Sequence, residues 1–322
     1  MLLLTNKVTT GIPERKSSFS RWLRQLGTDV LRDRWLYFLM IPGIAYFVIF
    51  KYAPIYGLKI AFQDYNPFNP SASPWVGFDQ FAKLFANQNF LLVIRNTLVI
   101  SLSRLVTSFP APIILALLMN ELRSLRYKKT VQTILYLPHF MSWVIMSGMV
   151  IAFVNPSNGL INQLIAGMGG DKIDFLNSST FFIPTLIVSG IYKEMGWGTI
   201  VYFAAISAVE EEQYEAAIID GAGRLAQAIH ITLPSIKSTI VVLLILQMGS
   251  ILNAGFEQVF LLYSPLVYEV GDIIDTYVYR KGIVEASYSF SAAAGMFKSV
   301  VALILISASN YVSKKLGESG VF

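Results

Sequence analysis

Residues 214–234 read YEAAIIDGAGRLAQAIHITLP and lie between two long apolar runs. Gln213 to Ile219 is a short helix-forming run. Gly221 and Gly223 are expected to end it, because glycine takes the positive-φ turn that other residues resist. Arg224 to Ile231 is expected to form a second short helix, and Pro234 resets the backbone behind it. The segment therefore reads as a helix–turn–helix hairpin. Tyr214, Ala217 and Ile218 give its first helix a partly apolar face, while Glu215 and Asp220 are charged. A polar loop would suffice to join two long helices. This one presents small residues instead, Ala216, Ala217, Gly221 and Ala222, which let another surface approach the backbone.

The runs flanking the hairpin, 181–208 and 236–262, have the length and apolarity of membrane spans, as do 36–62, 91–119, 131–154 and 290–312. Inside lipid every backbone group must be paired within its own segment, so these runs are expected to be helices, and no alternating strand pattern of a barrel is present. Composition agrees: 54% of the 322 residues are hydrophobic and 14% charged, against about 25% charged in soluble domains. With an even number of spans both termini share a side. That side carries 15 Lys and Arg, in 1–35, 120–130, 209–237 and 313–322, against 4 in 63–90, 155–180 and 263–289. The asymmetry puts both termini in the cytoplasm. It also explains the net charge of +5 without nucleic acid.

The expected architecture is an all-α membrane protein: a basic amphipathic tail 1–35, a transmembrane domain 36–312 with the hairpin at 209–235, and a short cytoplasmic end 313–322. The tail sets Arg21, Arg24, Arg32 and Arg34 beside Trp22 and Trp35, the pattern of an interfacial anchor. Leu2–Leu4 is too short for the apolar region of a signal peptide. The outer loops are turn-rich caps, with Pro67, Pro70 and Pro74 in 63–78 and Asn155, Pro156, Gly167, Gly169 and Gly170 in 155–180. Without cysteine, and with only His139 and His230, a metal centre in this chain is not expected. No phosphate-binding loop, zinc-protease motif or nucleophile elbow occurs, so the chain is not expected to be an enzyme or to bind a cofactor.

Glu215-Ala216-Ala217, Gly221, Ile231 and Leu233-Pro234 match, at every spacing, the EAA loop of binding-protein-dependent ABC importer permeases. The resemblance extends along the chain. KYAPIYGLKIAFQDYNPF (51–68), FPAPIILALLMNEL (109–122), LPHFMSWV (137–144), the stretch 251–280 and YSFSAAAGMFKSVV (288–301) resemble the polysaccharide and oligosaccharide branch of sugar permeases. Within that branch they are most similar to the first permease subunits of bacterial alginate importers. One departure stands out: Glu210-Glu211-Glu212 replaces the proline and fewer acids usual before the motif, which leaves the start of the helix open. The resemblance implies a type I importer fold in the inner membrane. It also implies a second permease subunit, two ATP-binding subunits that hold ATP and magnesium, a periplasmic sugar-binding protein and an oligosaccharide substrate that could be acidic. Glu215, Ala216, Ala217, Asp220, Gly221 and Ala222 would dock into the ATP-binding subunit. The rival class, a stand-alone secondary transporter or channel, is expected to show matched inverted halves, and none are found.

The family lines its central cavity from the two spans flanking the loop. This places Tyr192, Lys193, Glu194 and Trp197 of the fourth span, and Gln247, Asn253 and Glu257 of the fifth, along a sugar path. At about 100° per residue, Tyr192, Lys193, Glu194 and Trp197 fall near about 0°, 100°, 200° and 140°. A cavity on the Trp197 side would be lined by Lys193, Glu194 and Trp197, with Tyr192 packed against a neighbour and Lys193 facing an acidic sugar. The competing reading pairs Lys193 and Glu194 with neighbouring helices. Arg95 and Arg104 on the second span are expected to pair with a carboxylate or carbonyl of another helix, His139 to be structural, and Gly43, Gly57, Gly148, Gly190 and Gly249 to mark close helix packing.

Overall fold

The computed structural model describes residues 32–315. The expected basic tail, apart from residues 32–35, and residues 316–322 lie outside the described residues. The chain divides into two compact units, one ending at Leu58 and one beginning at Lys59. Helix α1 (Arg34–Phe62) begins α-helical, widens to a π stretch at Val48–Tyr52 and tightens to a 3-10 stretch at Ala53–Phe62. No residue of Arg34–Phe47 is buried. The stretch Arg34–Phe47, apolar on every side and buried on none, suits hydrocarbon rather than water.

From Lys59 onward the unit is helical, and among the described residues the one β feature is an isolated bridge between Gln63 and Trp75. The amphipathic α2 (Asp79–Ala86) precedes α3 (Gln88–Asn120). The Asn87 side chain caps α3 by accepting from the amides of Asn89 and Phe90 at 2.9 and 3.3 Å. Then come α4 (Leu125–Tyr136), α5 (Trp143–Val154), α6 (Leu160–Gly167), α7 (Phe182–Ser207), α8 (Glu211–Ile219), α9 (Arg224–Ser235) and α10 (Lys237–Gly249). The chain closes with α11 (Phe256–Leu262), α12 (Ile274–Tyr279) and α13 (Tyr288–Lys315).

The all-α class is as expected, but two spans are not continuous. The third, expected over 131–154, is α4 and α5 bent by 103°. Pro138 has no N–H to continue the ladder, and the Ser142 hydroxyl caps a new helix at Ile145. The fifth, expected over 236–262, breaks where Ala254 and Gly255 both turn left-handed, at φ 44° and 76°. A second bend, of 63°, separates α9 from α10. By length and composition three described helices can cross a membrane, or five if each bent pair counts as one. Helix α7, at 26 residues, is about 39 Å long, enough to span, but Lys193, Glu194 and its small residues keep it out of that set.

Helix α3 is the spine. Phe90 and Val93 enter one buried cluster with Leu84, Tyr277 and Ala293; Ile100 enters a second with Phe182, Leu186 and Val259; Ile113 and Ala116 enter a third with Tyr202, Ile206 and Ile236. Of the glycines expected at close packing, Gly190 lies beside Gln258 and Gly249 beside Ile306, but Gly43, Gly57 and Gly148 have open space where a side chain would be. Helices α4 and α7 approach closely at Gly196, under the Leu135 carbonyl.

Candidate functional site: an exposed hairpin and a mid-span cavity

Helix α8 starts at Glu211, with no side-chain cap from Glu210 and with Glu211 and Glu212 in its first turn, where the helix dipole favours acids. Its end is a Schellman turn. The Ala222 amide donates to the Ala217 carbonyl at 2.8 Å and the Gly221 amide to Ile218 at 3.0 Å, with Gly221 at φ 78°. Gly223 does not share that role; at φ −70° it is the N-cap of α9. The second helix also differs from expectation, turning to π geometry at Ala228–Thr232. Two bonds close the hairpin: Tyr214 to the buried Thr232 hydroxyl at 2.9 Å, and Gln227 to the Ala222 carbonyl at 2.8 Å. Arg224 meets Glu121 of the α3–α4 turn at 3.0 Å. Glu215, Ala216, Asp220 and Gly221 are exposed and Ala217 and Ala222 half-buried. Around them Ile218, Ile219 and Leu225 are 63%, 85% and 74% exposed. Large apolar side chains are thus held outward on a small-residue hairpin, an exposed apolar patch of the kind that marks interaction surfaces.

The two spans flanking the hairpin share a cavity of about 480 Å³ with α3. Glu194, Trp197 and Gln247 line it, with Arg104 and Ser108 opposite. Lys193 does not. It is buried, its Nζ donates to the His139 carbonyl at 2.8 Å, and it sits 5.5 Å from the Trp143 ring. The bend after α4 brings His139 against α7, which helical spacing alone could not indicate. His139 stacks on Trp197 with ring centres 4.6 Å apart and meets the Glu194 carboxylate at 2.8 Å. Glu194 also lies 3.3 Å from Lys193. Tyr192 faces away from this cavity, into an apolar pocket with Met146, Val150 and Phe181.

Neither Asn253 nor Glu257 reaches the cavity. Asn253, at the break in the fifth span, accepts from Lys298 of α13 at 2.9 Å, and the same ammonium holds Asp275 of α12 at 2.6 Å. Glu257 is exposed on α11. Above them Arg280 grips both carboxylate oxygens of Asp272. Burial opposes the Arg280 charge, but the hydrogen bonds and charge of Asp272 outweigh it and raise its pKa.

The residues at or beside the cavity that sequence reasoning did not place there are Arg104, Gln258 and Gly255; Arg104 was expected only to pair with a carboxylate or carbonyl of another helix, and it does. Arg104 Nη2 donates to the Gln258 amide oxygen at 2.5 Å, and Gln258 donates in turn to the Leu186 carbonyl and the Ser189 hydroxyl at 2.8 Å. Gly255 lies so close that a side chain there would strike the guanidinium. The signal was present: Thr97, Ser101, Arg104 and Ser108 fall at helical spacing on one face of α3. Thr97 accepts from the Ile274 amide at 2.9 Å, and Ser101 donates to the Ile251 carbonyl at 2.5 Å. Among the described residues no group of His, Asp or Glu is placed to hold a metal ion.

Apolar spans, broken helices and an exposed hairpin on one connection are the features of an integral membrane protein. Residues 108–318 match the family described as binding-protein-dependent transport system inner membrane component. The chain is 51% identical over 292 residues to protein LplB of Bacillus subtilis (strain 168), covering 90% of this chain and 92% of that one. It is 48% identical over 300 residues to the polygalacturonan/rhamnogalacturonan transport system permease protein YteP of the same organism, covering 93% and 94%. A solved bacterial alginate ABC transporter, in complex with alginate pentasaccharide-bound periplasmic protein, contains a chain similar to it at 44% identity and TM-score 0.86, covering 92% of this chain and 100% of that one. A further structure, of a bacterial ABC transporter involved in the import of the acidic polysaccharide alginate, matches at 44% identity and TM-score 0.84, covering 90% and 99%. The chain belongs to the binding-protein-dependent transport system inner membrane component family, and is a permease subunit of an ABC importer.

Proposed function

We propose that this permease carries oligosaccharides, acidic ones in particular, across the cytoplasmic membrane, paired with a second permease subunit. The observation that carries the importer reading is the hairpin of α8 and α9, whose exposed Ala216, Gly221 and Ile219 surround a Schellman turn. Two ATP-binding subunits, which bind ATP with magnesium, dock on Glu215, Ala216, Ala217, Asp220, Gly221 and Ala222 from the cytoplasm, where both termini lie. A periplasmic binding protein delivers the sugar to the opposite face. The acidic class is supported by the relatives: polygalacturonan and alginate are both chains of uronic acids. Glu194, Trp197 and Gln247 lie on the path, where an aromatic face and amides suit a sugar ring and its hydroxyls. A stand-alone carrier would have no use for the hairpin.

Reconstitution tests this reading. In proteoliposomes the assembled complex should hydrolyse ATP faster when its binding protein is loaded with an oligouronate, and should take the sugar up. Uptake by this chain alone, without nucleotide, would overturn it. Orientation is checked separately, because the chain has no cysteine of its own. In intact spheroplasts an impermeant thiol reagent should label Asn69→Cys and spare Lys128→Cys; the reverse pattern would invert the topology.

A further inference from the structure

Arg104 sits near the middle of α3, roughly 24 Å along the helix from Gln88. That is too deep for its side chain to reach either membrane surface. A cation at that depth is costly and calls for a partner. The structure supplies little. One of its N–H groups is taken by the neutral amide of Gln258, its Nε is buried with no partner, and it makes no ion pair among the described residues. The same guanidinium lines the cavity of about 480 Å³. Among the described residues the only carboxylate lining that cavity, Glu194, is already paired with His139 at 2.8 Å and with Lys193 at 3.3 Å. Among those residues Arg104 is therefore the one uncompensated charge on the cavity wall. It is also held in place: Gln258 is anchored by Leu186 and Ser189, and Gly255 gives way to the guanidinium by having no side chain.

We infer that Arg104 is a carboxylate-binding subsite of the translocation path, which takes the uronate group of an acidic oligosaccharide as it passes mid-membrane. The inference rests on the acidic-oligosaccharide reading above. A guanidinium suits the task because it is always charged and offers a planar fork that matches a carboxylate. A single such group, already sharing one donor with Gln258, holds a uronate without trapping it. Gln258 is a positioning residue, and Lys193, turned toward His139, does not contact the passing sugar.

The test uses the whole importer in proteoliposomes with its binding protein, and reads both oligouronate uptake and the ATP hydrolysis that the loaded binding protein stimulates. Arg104→Gln should lower uptake per ATP hydrolysed by about tenfold or more, the scale of one charge-assisted pair, with hydrolysis within about twofold of wild type. Arg104→Lys keeps the charge and should retain about a third of the uptake. Unchanged uptake in Arg104→Gln, or uptake and hydrolysis falling together, overturns the subsite. If Arg104→Gln fails to assemble, Arg104→Lys decides: lowered uptake with intact hydrolysis supports the subsite, whereas wild-type uptake, or failure of this variant too, marks the guanidinium as a structural post and overturns it. The parent reading has its own arm. A wild-type complex that takes up the carboxyl-reduced, neutral oligosaccharide but not the oligouronate sinks the acidic-substrate reading, whatever the variants do.

Discussion

The hairpin at 211–235 and the break at 250–255 both turn on a left-handed glycine, yet the two are built by opposite means. At Gly221, φ 78°, nothing lies within 4 Å of where a side chain would stand, and the turn is closed by bonds between residues five apart or fewer. At Gly255, φ 76°, the guanidinium of Arg104 fills that space, and the neighbouring contacts join residues more than sixty positions apart. The first is a local structure with an exposed surface. The second exists only once α3, α7 and α11 have met. Local order shapes the exposed hairpin, and long-range order shapes the interior.

Substitutions can break or sharpen this contrast. Gly255→Val should have the largest effect. It adds left-handed strain of roughly 1–2 kcal/mol and displaces a buried cation from its only partner, for a total of about 3 kcal/mol or more. The expected result is loss of assembled complex, or a lowered thermal midpoint of the purified complex. Gly221→Val carries the same conformational strain, about 1–2 kcal/mol, with no collision. It should assemble in the membrane while ATP hydrolysis and uptake become uncoupled; equal loss of assembly at the two glycines would erase the distinction. Tyr214→Phe, the mildest, removes the bond to Thr232 at 2.9 Å and should cost about 1 kcal/mol. Hydrogen exchange should then quicken across 211–235 and stay unchanged at 250–262. Quickening in both segments would mean that the hairpin is not a separate unit.

The same contrast explains what could be read in advance. Six apolar runs, the hairpin, and the left-handed turn at Gly221 were all legible, because each depends on neighbours in sequence. The breaks in the third and fifth spans were not. No proline marks the break in the fifth span, and Ala254 is an alanine at positive φ that no propensity would place there. The cavity lining was half legible. Glu194, Trp197 and Gln247 do share a cavity, but Lys193 was assigned to it by resemblance and helical angle, and only the bend that carries His139 to α7 reveals where that ammonium goes. Arg104 was expected to pair with a carboxylate or carbonyl of another helix, and it does meet the Gln258 amide oxygen, but its place on the cavity wall was not foreseen. Reading Thr97, Ser101, Arg104 and Ser108 as one polar stripe would have tied it to the fifth span, since a polar stripe on an apolar helix must face something other than lipid.

The break after Ser250 has a mechanical consequence. Helix α10 is a stiff rod of 13 residues, about 20 Å, jointed at one end by Ala254 and Gly255 and at the other by the 63° bend into the hairpin. A swing of roughly 10° about the inner joint would carry the outer end by roughly 3 Å, and α13, whose Ile306 packs against Gly249 of α10, would have to yield with it. The inner joint lies beside Arg104, so such a rotation of α10 would turn around the spot where the cavity holds its bare charge.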